Sequence, residues 1–190
     1  MDMSEVVKTR RYSEGLTLVE LMTVLAVLAL SLLLAAPSIG QYLEDRKVRN
    51  VAESLFYGMQ KARWQAVQTN IQTRFVWSGA GWTVSQLDMA TLTPITPPLE
   101  TFDWGVGGNN NWSSVSVAAV SGGATLASAA VTFDGMGRVV FPESPAIPPP
   151  NRFDVSGRSG SRAFRVVVDG GGGVRVCDPQ LPSSDPKGCK

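Results

Sequence analysis

The chain contains no histidine. That absence removes the commonest general base and the commonest metal ligand together. Cysteine is almost as scarce: only Cys177 and Cys189 occur, and two thiolates without an imidazole make a poor zinc site. We therefore expect no metal and no cofactor. Nor do we expect an enzyme, since without histidine only Ser–Lys chemistry could join a nucleophile to a base. A charge excess is missing too, with 17 Lys and Arg against 16 Asp and Glu, so nothing global favours nucleic acid or an acidic surface. No internal repeat is evident. The run Gly170 to Gly173 lacks the following helix and Lys-Ser or Lys-Thr of a phosphate-binding loop, and reads as a hairpin turn.

What the chain does have is a long apolar run. Leu16 to Ala36 reads LTLVELMTVLAVLALSLLLAA, enough helix to span about 30 Å of hydrocarbon. The 190 residues leave room for one ordinary domain besides. A secretory signal is the alternative, and Ala35-Ala36-Pro37 loosely imitates its cleavage site. The run is long for a signal core, however, and Glu20 stands in its first third. A carboxylate in hydrocarbon costs several kcal/mol and marks a functional partner, unless it snorkels to the headgroups of a plain one-pass anchor. Lys8, Arg10 and Arg11 precede the run and place the N-terminus in the cytoplasm, although Arg46, Lys47 and Arg49 on the far side weaken the asymmetry.

Gly15-Leu16-Thr17-Leu18-Val19-Glu20-Leu21, behind a short charged leader, resembles the class III signal of type IV prepilins and type II secretion pseudopilins. The resemblance implies that a membrane-embedded prepilin peptidase cuts between Gly15 and Leu16 and methylates the new amine of Leu16. Phenylalanine is usual at that position, and Leu16 is a conservative departure. It implies further that Glu20 pairs with the N-terminal ammonium of a neighbouring subunit, neutralising two buried charges at once.

Past Pro37, expected to kink or interrupt the helix, Tyr42 to Gln68 carries Val48, Val51, Ala52, Leu55, Phe56, Met59, Ala62 and Ala66 at three-and-four spacing, an amphipathic helix. After Asn70 the period changes. Ile71 to Trp77, Trp82 to Leu87, Val115 to Val120, Val131 to Phe133, Arg138 to Phe141, Phe164 to Asp169 and Val174 to Cys177 read as antiparallel strands. Turns are expected at Ser78 to Gly81, Asp134 to Gly137 and Gly170 to Gly173. The stretches Pro94 to Asn111 and Pro142 to Asn151 carry no clear pattern, and the second reads as an extended surface loop. The expected fold is α+β: a long N-terminal helix, transmembrane then amphipathic, packed on an antiparallel sheet. The divisions are a leader at 1–15, a membrane helix at 16–36, its continuation at 37–70 and a β-rich head at 71–190.

In an oxidising periplasm Cys177 and Cys189 should form a disulfide, worth about 2 to 4 kcal/mol in the chain-entropy model; two free redox-active thiols are the alternative. Phe133-Asp134-Gly135-Met136-Gly137-Arg138, then Phe164-Arg165-Val166-Val167-Val168 and Gly173-Val174-Arg175-Val176-Cys177-Asp178-Pro179, resemble the periplasmic domain of GspH/FimT minor pilins and pseudopilins. The FimT branch binds DNA through a Gly-Arg-x-Arg pattern, which is half present here: Arg175 stands as its second arginine and Gly173 where the first belongs. Arg152, Arg158, Arg162, Arg165 and Arg175 outnumber Asp154 and Asp169 across this region, so a phosphate contact through Arg165 and Arg175 is an alternative role. Of the tryptophans, Trp64, Trp77, Trp82, Trp104 and Trp112, core packing or subunit contact is expected for most, with base stacking as the alternative. The resemblances imply a subunit of a type IV pilus or type II pseudopilus at a priming or tip position. Its partners would be other pilin subunits, the peptidase and the inner membrane, with the head in the periplasm.

Overall fold

In the computed structural model the described residues are 17–79, 81–104, 112–141, 149–158 and 161–189. The chain divides into two compact units, Met1–Ile39 and Gly40–Lys190, and helix α1 (Leu18–Thr69) contributes to both. It runs without interruption through Pro37, so the proline does not interrupt the helix.

In the first unit every side chain from Thr17 to Leu32 is exposed. Leu18 is 73% exposed and Met22 63%. Such a helix, apolar around its circumference, gains stability only by burial in lipid or among other chains. Counted over the described residues, no helix is long and apolar enough to cross a membrane; the side chains of residues 33–38, which include the end of the apolar run, lie outside that count.

In the second unit the helix is amphipathic. Val48, Val51, Ala52, Leu55, Met59, Ala62 and Ala66 form a stripe that is at most 1% exposed. Around it lie strands β1 (Thr73–Trp77), β2 (Gly81–Gln86), β3 (Glu100–Asp103), β4 (Ser116–Ser121), β5 (Ala124–Leu126), β6 (Ala129–Phe133), β7 (Val139–Val140), β8 (Arg152–Ser156), β9 (Phe164–Val168) and β10 (Val174–Cys177), all but β3 giving residues to the core that includes the stripe. They form two antiparallel sheets, ordered β3-β2-β1-β6-β7 and β10-β9-β8-β4-β5, where one sheet was expected. Periodicity reveals that a residue faces a core but not which sheet its strand joins.

Phe153 of the second sheet stands edge-on to Phe75 and Trp77 of the first, with both centroid distances 6.2 Å, so the two sheets and the helix stripe share one core. Trp77 pairs with Trp82 across the first hairpin, and both are buried. Gly58 makes the close approach of the helix possible: a Cβ there would lie 2.7 Å from the Phe75 ring.

Candidate functional site

The N-terminal site rests on one turn of helix. Thr17 precedes α1, and its Oγ1 accepts the Glu20 N–H at 3.2 Å, the first half of a Thr-x-x-Glu capping box. Glu20 thus sits three positions into the helix, where the macrodipole favours an acid. It is exposed in an apolar sleeve, and no described residue neutralises it. Gly15 and Leu16, the expected cleavage and methylation positions, lie outside the described residues.

At the other end of the chain, Cys177 and Cys189 form a disulfide with Cα atoms 5.1 Å apart. The loop between them turns back on the sheet. The Asp178 N–H donates to the Lys187 carbonyl at 2.8 Å, and Asp178 bridges Gly188 in parallel fashion, so the loop is tied back to the residue that follows β10. Gly188 is required there, since a Cβ would lie 2.2 Å from the Pro182 carbonyl oxygen.

Register places Arg165 and Arg175 on the same face of the second sheet. Arg175 is opposite Val167 and Arg165 opposite Cys177, while Val166, Val168 and Val174 point into the core. Arg152 and Asp154 of β8 share that outer face. Asp154 receives both the Arg165 and the Arg152 guanidinium, the latter at 3.2 Å, so Arg165 presents much less charge than its sequence neighbourhood suggests. Of the five tryptophans, Trp77 and Trp82 are buried, Trp104 and Trp112 pack against the core, and Trp64 is 55% exposed beside Lys61.

The string Phe133 to Arg138 has a structural reason that sequence alone did not reveal. The Asp134 carboxylate accepts the Met136 and Arg138 N–H groups, both at 2.9 Å, and the Arg138 guanidinium at 3.0 Å. Gly135 faces Asn70, the left-handed residue that ends α1, and a Cβ would stand 2.0 Å from its Oδ1. Gly137 has φ +76°, and its carbonyl accepts the Arg63 Nε at 3.2 Å. Gly172, in the β9–β10 turn, lies so close that a Cβ would be 1.7 Å from the Gly137 oxygen. Turns from both sheets thus converge on the last turns of the helix.

Burial pushes the Asp134 carboxyl up, but hydrogen bonds from Arg138 and Met136 together with the Arg138 charge outweigh it, and the pKa falls below the ordinary 3.8. A depressed carboxylate stabilises the fold above its ordinary pKa, and that contribution disappears as pH falls through the folded value. Asp134→Asn should therefore cost about 1 kcal/mol at neutral pH, with the gap to the parent closing in acid below the carboxylate range. Urea midpoints measured across pH would show it; a gap independent of pH would refute the role of the charge.

Comparison with known proteins agrees with this geometry. The prokaryotic N-terminal methylation motif matches residues 10–36. A crystal structure of the Pseudomonas aeruginosa type IV minor pilin FimU superposes with a TM-score of 0.51 at 18% identity, covering 78% of this chain and 99% of that one. A second crystal form of FimU gives 0.46, also at 18% identity, over 75% of this chain and 99% of that one. No curated protein matches. The chain therefore joins a prokaryotic N-terminal methylation motif to the fold of a type IV minor pilin.

Proposed function

We propose that this chain is a minor pilin or pseudopilin, made as a prepilin, cut between Gly15 and Leu16, methylated on the Leu16 amine and assembled through its N-terminal helix. The observation that carries the reading is Glu20, exposed in the first turn of an apolar helix within the matched methylation motif. Before assembly the helix anchors the subunit in the inner membrane by a single pass, N-terminus in the cytoplasm and head in the periplasm. That compartment suits the Cys177–Cys189 disulfide. Within the fibre, Glu20 meets the freed amine of an adjacent subunit, and each charge removes the other's burial penalty. Partners are other pilin subunits and the prepilin peptidase, and a priming or tip position in a pilus or type II pseudopilus follows the resemblance of the head.

Intact-mass and N-terminal analysis of the membrane-extracted protein tests this. The expected result is a chain starting at methylated Leu16. An intact Met1, or a start near Pro37, would overturn the processing claim.

Contact with DNA through Arg165 and Arg175 is the second reading. It is favoured by the outer face those residues share with Arg152 and weakened by Asp154, which neutralises part of that face.

A further inference from the structure

Three cations, Arg46, Lys47 and Arg49, follow the apolar run on its far side, and assembly through the helix gives them no task. Two of them are answered within the chain. The Lys47 ammonium lies 3.5 Å from Glu44, and the Arg49 guanidinium lies 2.7 Å from Glu53. The third has as its helix neighbours, three and four positions away, Tyr42, Leu43, Arg49 and Asn50, none of them acidic. Asp45, beside it in sequence, turns toward the start of β9 and accepts the Arg162 N–H at 2.8 Å. Arg46 therefore forms no ion pair among the described residues.

What Arg46 touches instead is an aromatic ring. Its guanidinium carbon stands 4.8 Å from the ring centroid of Tyr42, one turn nearer the N-terminus. Long side chains on a helix slope toward its N-terminal end, and here that direction leads back to the apolar run. The charge is thereby held at the level of Tyr42, which stands six residues, or about 9 Å of helix, beyond Ala36. A headgroup layer occupies about 5 to 8 Å on each side of the hydrocarbon, and a tilted helix advances less than its own length along the membrane normal. In the proposed anchor, Tyr42 and the Arg46 charge thus fall at the depth of the lipid phosphates. Tyr42, Leu43 and Arg46 are all exposed. A ring with a polar hydroxyl, an aliphatic neighbour and an unanswered cation is the chemistry of a membrane interface.

We propose that Arg46, backed by Tyr42, binds the phosphate of an anionic phospholipid in the periplasmic leaflet while the subunit is anchored. The guanidinium offers a fork of donors to the phosphate oxygens, and the ring steadies it without neutralising it. Lys47 and Arg49 add little, because each already has a carboxylate. The inference rests on the reading of the chain as a membrane-anchored subunit and gives that subunit a lipid partner before assembly.

The test uses the full chain reconstituted in phosphatidylcholine nanodiscs that carry a trace of spin-labelled phosphatidylglycerol or of spin-labelled phosphatidylcholine. Electron spin resonance reads, for each probe, the fraction of lipid held motionally restricted against the protein. Lys8, Arg10 and Arg11 attract anionic lipid on their own account, so the comparison is made with all three replaced by glutamine as well as in the parent. In both backgrounds phosphatidylglycerol should be restricted in preference to phosphatidylcholine. Arg46→Gln should lower the preference in the first and bring the two fractions to a ratio of about one in the second, whereas Arg46→Lys should keep most of it. Equal restriction of the two probes in the triple-glutamine background, or a preference that Arg46→Gln leaves unchanged, overturns the proposal and leaves the anchor standing. Restriction of neither probe overturns both.

Discussion

Glu20→Ala should leave the subunit inserted in the membrane and its head folded, yet reduce its incorporation into the fibre to near background. The substitution removes a carboxylate from the apolar run, which favours insertion by a few kcal/mol. Its cost to the helix is small, because the Thr17 hydroxyl that receives the Glu20 N–H is untouched and only one favourable charge–dipole contact is lost. Assembly behaves oppositely. In the proposed fibre the neighbour's ammonium would then be buried without a counter-charge, a penalty of about 3 to 5 kcal/mol for breaking a buried pair. Comparing the subunit in sheared fibres with that in membranes measures the effect. Normal incorporation would show that Glu20 is merely a snorkelling side chain.

Gly172→Ala should be among the most destabilising single substitutions in the head. The residue has φ +81°, where an alanine costs about 1 kcal/mol or more in backbone energy alone. Its Cβ would also fall 1.7 Å from the Gly137 oxygen, a backbone atom that cannot rotate away. Separating the two turns would loosen the Arg63 bond to that same oxygen. We expect a loss of at least about 3 kcal/mol, read as a lower urea midpoint, compared with about 1 kcal/mol for Gly79→Ala. Gly79 has a similar positive φ but open space around it, so the pair separates collision from conformational strain.

The amphipathic half of α1 was legible because Val48 through Ala66 repeat at helical spacing and the same residues are buried. Most of the strands were legible from their β-branched and aromatic runs. Three were not. Glu100–Asp103 is exposed and acidic at a sheet edge; Ala124–Leu126 is only three residues long; Arg152–Ser156 alternates charged and apolar residues directly after a proline-rich stretch. Each lacks the continuous apolar signal on which recognition depends. Sheet membership was equally hidden, since Phe75 and Phe153 look alike in sequence and only their edge-on contact reveals that they come from facing layers.

At the functional positions, the capping role of Thr17 follows from the Thr-x-x-Glu spacing, but the pairing of both Arg152 and Arg165 with Asp154 does not. Charges summed along the chain overstated the basic face because the register that brings Asp154 between them is a property of three strands.

The convergence of Gly137 and Gly172 on Arg63 has a mechanical consequence. Tension drawn through the C-terminal half of α1 enters both sheets at once, because a turn from each is held against the helix there. The two layers therefore cannot be drawn apart at that end without first parting from the same arginine.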